Sequence, residues 1–173
     1  MPIFYAIRRL RLSIRSGIMT NVFTISRQFT FCYGHRLLHH TGKCAHLHGH
    51  NGTVKIDLRH RQLNSQGMVA DFIDIKNSIG EWIENTLDHR TILEERDPLA
   101  NLLREQGEPV LILPVEPTAE NLAKLIYEKA EKIGLPVCAV AFRETETCTA
   151  EYRCQGVGVR SCTAHRKKVT IEN

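Results

Sequence analysis

Apolar and polar positions alternate along residues 22–32, VFTISRQFTFC, with Phe23 and Ile25 and then Phe29 and Phe31 on one side. The same period of two returns in TVKIDLRH, where Val54, Ile56 and Leu58 are apolar and Lys55, Asp57 and Arg59 polar. Both runs predict β-strands, over 22–32 and about 53–60, expected to pair antiparallel across a loop from Tyr33 to Gly49. After a polar turn from Gln62 to Gly67 the period changes. Ile75, Ile79, Trp82, Ile83 and Leu87 recur at helical spacing, which predicts an amphipathic helix over 73–87. Asp97 before Pro98 reads as a cap and first-turn proline, opening a short helix to Gln106 that Gly107 closes. Residues 110–113 read as a brief extended piece. Thr118 caps the best-bounded helix, with Leu122, Leu125, Ile126, Ala130 and Ile133 as its stripe and Gly134 and Pro136 as its stop. A buried strand over 137–143 and a partner over 150–153 complete the order. Grouped strands with helices between them predict an α+β fold: an antiparallel four-stranded sheet with two main helices on one face.

Size and composition narrow the function. A chain of 173 residues with no repeat or long linker is read as one domain, 19–153, between an arm (1–18) and a tail (154–173). Residues 1–18 are Arg-rich and free of acids, which suits an arm, or a stretch upstream of a start at Met19, better than a targeting segment. No apolar run approaches the ~20 residues that cross a bilayer, so no membrane partner is expected. The net charge of +4 is too modest to argue nucleic-acid binding and agrees with an anionic small substrate. Six cysteines at irregular spacing, with no CxxC pair and no secretory signal, predict a reduced cytoplasmic location, most thiols acting as small buried hydrophobes.

Candidate chemistry concentrates between His35 and His50, which hold six of the nine histidines and Cys44. Stepping back by twos from Val54 puts His48 and His50 on the apolar face of the second strand, with Gly49 between them leaving space for a close approach. Two imidazoles presented this way suit a single divalent ion, and a catalytic zinc takes three protein ligands and keeps one position open. His35, at the end of the first strand, is the expected third, with His39 and His40 as rivals. His46 has the right parity and is read as a solvated or supporting imidazole. Cys44 is either a fourth ligand closing a structural site or a reactive thiol beside an open one; strand geometry leaves both open. Asp88 before His89 is an acid–base arrangement, since a carboxylate holds an imidazole in one tautomer and stabilises its cation. Glu144, at the exit of the 137–143 strand, is placed to enter a pocket, with Glu146 as the fallback.

Together these pieces resemble the 6-pyruvoyltetrahydropterin synthase family, and within it the bacterial 6-carboxytetrahydropterin synthases of queuosine biosynthesis. The matching fragments are FTFCYGHRL around His35, CAHLHGH from Cys44 to His50, GMVADF at Gly67–Phe72, LDH at Leu87–His89, PTAEN at Pro117–Asn121 and ET at Glu144–Thr145. They occur in the family's order over about residues 22–153. Three residues separate Cys44 from His48, as in the 6-carboxy branch. Gly34 stands where most relatives have alanine, a departure in line with tight packing.

The resemblance implies a tunnelling fold of the strand-strand-helix-helix-strand-strand kind, assembled as a dimer of trimers with active sites between subunits. It implies Zn2+ on His35, His48 and His50, Cys44 as general base, Asp88 and His89 as its relay, and Glu144 gripping the pterin. The implied reaction takes 7,8-dihydroneopterin triphosphate to 6-carboxy-5,6,7,8-tetrahydropterin, acetaldehyde and triphosphate, making the chain a lyase. Two alternatives are a 6-pyruvoyl synthase, which expels triphosphate without carbon–carbon cleavage, and a non-catalytic zinc module. Lys43, Arg36 and Arg59 lie near the motif in sequence and are candidate triphosphate contacts.

Overall fold

The period-two runs belong to two strands longer than the alternation suggests, β1 (Phe23–His35) and β2 (His48–His60). They pair antiparallel without a break from Phe23 opposite His60 to His35 opposite His48. The computed structural model describes residues 21–153; the arm, the start at Met19 and the tail lie outside the described residues. The longer strands cut the loop between them from the expected 33–49 to residues 36–47. The ladder absorbs its ends because each added pair satisfies backbone groups that a loop would leave to solvent.

One face of this ladder carries Phe31, Tyr33, Val54, Ile56 and Leu58, all buried. The helical stretch over 72–86 packs on it: α1 (Phe72–Ile75), a π turn (Lys76–Gly80) and α2 (Glu81–Thr86), burying Ile75, Ile79 and Ile83. Gly80 allows the approach, since a Cβ there would sit 2.7 Å from the Phe29 ring. A strand β3 (Arg90–Glu94), a helix α3 (Leu99–Glu105) and a strand β4 (Val110–Leu113) follow. The long helix α4 (Ala119–Ile133) starts where Thr118 accepts from the Asn121 N–H and stops at left-handed Gly134. Its stripe of Leu122, Ile126 and Ala130 is fully buried in the same core, each Leu or Ile contributing about 1.5–3 kcal/mol. A hairpin of β5 (Val137–Arg143) and β6 (Thr149–Arg153) ends the described chain.

The sheet corrects the expected architecture. It has six strands in the order β4-β3-β1-β2-β5-β6, not four, and it is mixed: β3 runs parallel to both β1 and β4, while the other pairings are antiparallel. The α+β class stands. Ile92, Leu93 and Glu94 are all buried, so β3 shows no alternation to read, as is usual for short parallel strands. The cysteines also differ from expectation. Among the described residues none is fully buried: Cys32 and Cys148 are exposed, Cys44 and Cys138 half-buried.

Candidate functional site

The end of the β1–β2 ladder brings three imidazoles together. His35 faces His48 in register, and Tyr33 faces His50, so alternation puts all four rings on the helix-covered face. One nitrogen from each of His35, His48 and His50 lies within 4.8 Å of the other two. Gly49 lets the ladder close here, because a Cβ would press to 3.0 Å from the Tyr33 carbonyl oxygen. At Gly34 the nearest atoms would be 3.6 Å or more away, so an alanine fits and packing does not demand the glycine.

Hydrogen bonds fix the rings' tautomers. His35 Nδ1 is 2.8 Å from the Pro117 carbonyl and His48 Nδ1 is 2.7 Å from the His46 carbonyl. A carbonyl only accepts, so both Nδ1 atoms carry the proton and both Nε2 atoms present a lone pair. His35 Nε2 is buried and has no hydrogen-bond partner among the described residues. A buried lone pair without a donor costs about 1–3 kcal/mol, and a cation held between the three rings would satisfy it. Burial foremost, and then the neighbouring His48 and His50, hold the His35 pKa below the usual histidine value despite the opposing pull of Pro117 and Glu144. The ring stays neutral, as a ligand must. Three imidazole nitrogen donors and no thiolate are the donor set of an open site, and the residues fit such an ion.

The rivals lie elsewhere. His39 is bound to Glu116, its Nδ1 2.7 Å from Oε1, and His40 Nδ1 accepts from the Gly42 N–H at 2.9 Å. His46 contributes its carbonyl. Cys44, in a single 3-10 turn (Lys43–Ala45), belongs to no donor cluster among the described residues, so its sulfur is not a fourth member of the histidine group.

Glu144 follows β5 directly, and its Oε1 lies 3.9 Å from His35 Nε2. Tyr33 donates to that same oxygen at 2.9 Å. Glu146 is exposed in the hairpin turn and does not reach the histidines. Asp88 and His89 form the corner between α2 and β3. Asp88 Oδ2 receives His89 Nδ1 at 2.8 Å and Oδ1 receives the Cys32 N–H at 2.8 Å. Burial pushes the Asp88 carboxyl up, but these donors outweigh it and hold it below the usual carboxylate range. An open groove of about 550 Å3 runs at this end of the ladder, lined by Cys32, Leu47, His48, His50, Asn51 and His89 among others.

Comparison with known proteins identifies the assembly. The family model described as 6-pyruvoyl tetrahydropterin synthase matches residues 24–155. The chain belongs to that family. It is 34% identical to the 6-carboxy-5,6,7,8-tetrahydropterin synthase of Aquifex aeolicus, over 75% of this chain and 96% of that one. It is 33% identical to the enzyme of the same name from Rickettsia typhi, over 73% of this chain and 96% of that one. Among solved structures, a protein of Wolinella succinogenes superposes with a TM-score of 0.65 at 28% identity, covering 77% of this chain and 98% of that one.

The PTAEN segment acquires a physical meaning here. Pro117 supplies the carbonyl that orients His35, Thr118 caps α4, and the Asn121 amide donates to the Glu116 carbonyl at 2.8 Å. Glu116 in turn receives the Leu38 and His39 N–H groups, each at 3.0 Å, pinning the loop that follows His35. Two of the candidate triphosphate contacts are corrected. Arg36 is committed to Asp97, its Nε 2.7 Å from Oδ2 and its Nη2 on Oδ1. Arg59 sits eleven residues up β2 from His48, about 35 Å away at the rise of a strand. Lys43 is exposed beside Cys44. Sequence reasoning missed Tyr33, Cys32 and Asn51, whose roles depend on the cross-strand register.

Proposed function

We propose that this chain converts 7,8-dihydroneopterin triphosphate to 6-carboxy-5,6,7,8-tetrahydropterin, acetaldehyde and triphosphate, with zinc held by His35, His48 and His50. The observation that carries the reading is the convergence of three imidazoles, two with tautomers set by carbonyls, beside a carboxylate at the mouth of the same site. The names of the Aquifex and Rickettsia relatives support the product, as does the three-residue spacing between Cys44 and His48.

Each side chain then has one task. Glu144 accepts two parallel N–H bonds from the pterin's amino-pyrimidine edge, a charge-assisted pairing that fixes the ring. Bound zinc supplies a Lewis acid that stabilises negative charge developing on the side-chain oxygen of the substrate. Cys44 removes a proton from the hydroxyl-bearing carbon, and His89, oriented by Asp88, moves protons on the opposite side. Within one chain Cys44 shares no cluster with the Asp88–His89 pair, which supports a site completed between copies in a dimer of trimers. The sheet ends among the described residues in two edge strands, β4 and β6, whose open ladders invite pairing with further copies.

Incubation of the purified protein with dihydroneopterin triphosphate, with products identified by mass spectrometry, tests the reading. Acetaldehyde and the 6-carboxy product are expected. A 6-pyruvoyl product without acetaldehyde would replace it with the sister activity, and no turnover by zinc-loaded protein would remove it.

A further inference from the structure

Cys32 and Asn51 face each other in the β1–β2 register, one step out of phase with Tyr33 and His50, and so lie on the sheet face away from the helices. The Asp88–His89 corner is fastened to this position twice. The His89 N–H donates to the Cys32 carbonyl at 2.7 Å, and the Cys32 N–H donates to Asp88 Oδ1 at 2.8 Å. As a result the Cys32 sulfur, an Asp88 oxygen and a His89 ring nitrogen lie within 4.8 Å of one another. His89 holds φ at 55°, the one positive value for a non-glycine among the described residues. Such a conformation costs about 1–3 kcal/mol and persists where the surroundings enforce it.

Three donors this close suggest either a cation site or a proton relay, and the hydrogen bonds decide between them. Both Asp88 oxygens are already engaged, Oδ1 by the Cys32 N–H and Oδ2 by His89 Nδ1. A carboxylate so committed orients the imidazole instead of ligating an ion, and it leaves His89 Nε2 as the free base. Asn51 completes the arrangement. The Cys32 thiol donates to its Oδ1 at 3.0 Å, and the same amide turned over offers an N–H to a thiolate. Both protonation states of the sulfur have a partner.

We propose that Cys32 is a second proton-handling thiol, activated by Asp88–His89 of its own chain and separate from Cys44. His89 Nε2 takes the proton from Cys32 Sγ, giving a thiolate and an imidazolium that Asp88 faces; the reverse step returns it, and no electrons are transferred. Cys32, Asn51 and His89 together line one open groove. The titratable and charged groups around it are Asp88 and His89 at the corner and Arg90 at the start of β3, while His48 and His50 of β2 present their rings to the opposite face. Only the turnover part of this inference rests on the proposed function.

The test is alkylation of the full chain by iodoacetamide between pH 6 and 9, with each cysteine followed by peptide mass spectrometry. His89→Asn is the informative variant, because asparagine tolerates the left-handed backbone at this corner. At pH 7, Cys32 is expected to label about tenfold faster in the wild type than in His89→Asn, and to slow also in Asp88→Asn. Rates within about twofold of one another in all three would overturn the proposal, as would loss of a second bound metal equivalent in Cys32→Ala, which would make the cluster a cation site. Zinc content at the three histidines reports that each variant is folded. With dihydroneopterin triphosphate, Cys32→Ala is expected to lower kcat about tenfold at a nearly unchanged KM; an unchanged kcat removes the catalytic part. If the wild type itself does not turn over that substrate, the proposed function fails, while the labelling still decides the role of Cys32.

Discussion

Tyr33 and Glu144, 111 positions apart in the chain, are joined by a hydrogen bond of 2.9 Å from the tyrosine hydroxyl to Oε1. The tyrosine is 4% exposed and its ring packs against Phe31, Phe142, His35 and His50. Burial, reinforced by the Glu144 charge and hydrogen bond, pushes its pKa far above the ordinary phenol value, so the hydroxyl remains a donor at any working pH. The carboxylate proposed to grip the pterin is thus held by a side chain that also walls the histidine cluster. Tyr33 is a positioning residue for Glu144.

Tyr33→Phe removes that donor and keeps the ring. A hydrogen bond to a charged group is worth about 1.5–3 kcal/mol, so KM for the pterin substrate is expected to rise about tenfold or more while bound zinc stays constant. Glu144→Ala is expected to raise KM further, again with the metal retained. Steady-state kinetics beside metal analysis measures both. An unchanged KM in Tyr33→Phe would show that Glu144 keeps its orientation unaided.

His46 and His48 supply different atoms, so their alanine variants should separate. His48→Ala deletes a ring that presents a lone pair to the cluster, and metal and activity are both expected to disappear. His46→Ala leaves the backbone carbonyl that receives His48 Nδ1 at 2.7 Å. Metal content is therefore expected to hold in His46→Ala and to fall at least about tenfold in His48→Ala, since even supporting groups around a metal affect affinity 10–100-fold. Equal loss in both would mean the His46 imidazole itself enters the cluster.

Period-two alternation exposed β1, β2 and the face on which His48 and His50 stand, because one side of that ladder is buried and the other is solvated. Helical periodicity with clear caps exposed α4 for the same reason. The parallel strands were hidden: Ile92, Leu93 and Glu94 are buried in succession, and burial on both sides erases alternation. The three-histidine cluster was legible from spacing, since i and i+2 share a face. Tyr33, Cys32, Asn51 and the Pro117 carbonyl were not, because each acts through a partner set by cross-strand register or by a loop 82 residues away. Arg36 and Arg59 show the reverse: both are near the motif along the chain, yet one is tied to Asp97 and the other stands at the far end of β2.

Cys44 separates an enzyme from a structural zinc module. Its sulfur is in no donor cluster among the described residues, and the histidine group is complete without it. Cys44→Ala is accordingly expected to bind one zinc per chain as the wild type does, while kcat falls by about 100-fold or more, the usual range for a lost general base. Zinc lost together with the thiol would instead show a closed four-ligand site and end the catalytic reading.

Acid stability reports on the loop that follows His35. The Arg36 guanidinium, beside the fully buried Asp97 side chain, holds that carboxyl below the usual carboxylate range, aided by the Leu99 N–H and against the effect of burial. The ionised form is favoured in the folded state, so the pair's stabilisation is complete above the unfolded aspartate value of about 3.9 and fades as pH falls through the lower folded one. Asp97→Asn keeps an oxygen for the Leu99 N–H, bonded at 2.9 Å, and removes the charge. At pH 7 the variant is expected to lose about 3 kcal/mol, the cost of breaking a buried pair. Urea unfolding at pH 7 and again near pH 3 measures the gap to the wild type, which should narrow in acid as the wild-type carboxyl takes up its proton. A gap independent of pH would assign the role of Asp97 to shape and capping, and would leave the loop beside His35 without an electrostatic tether.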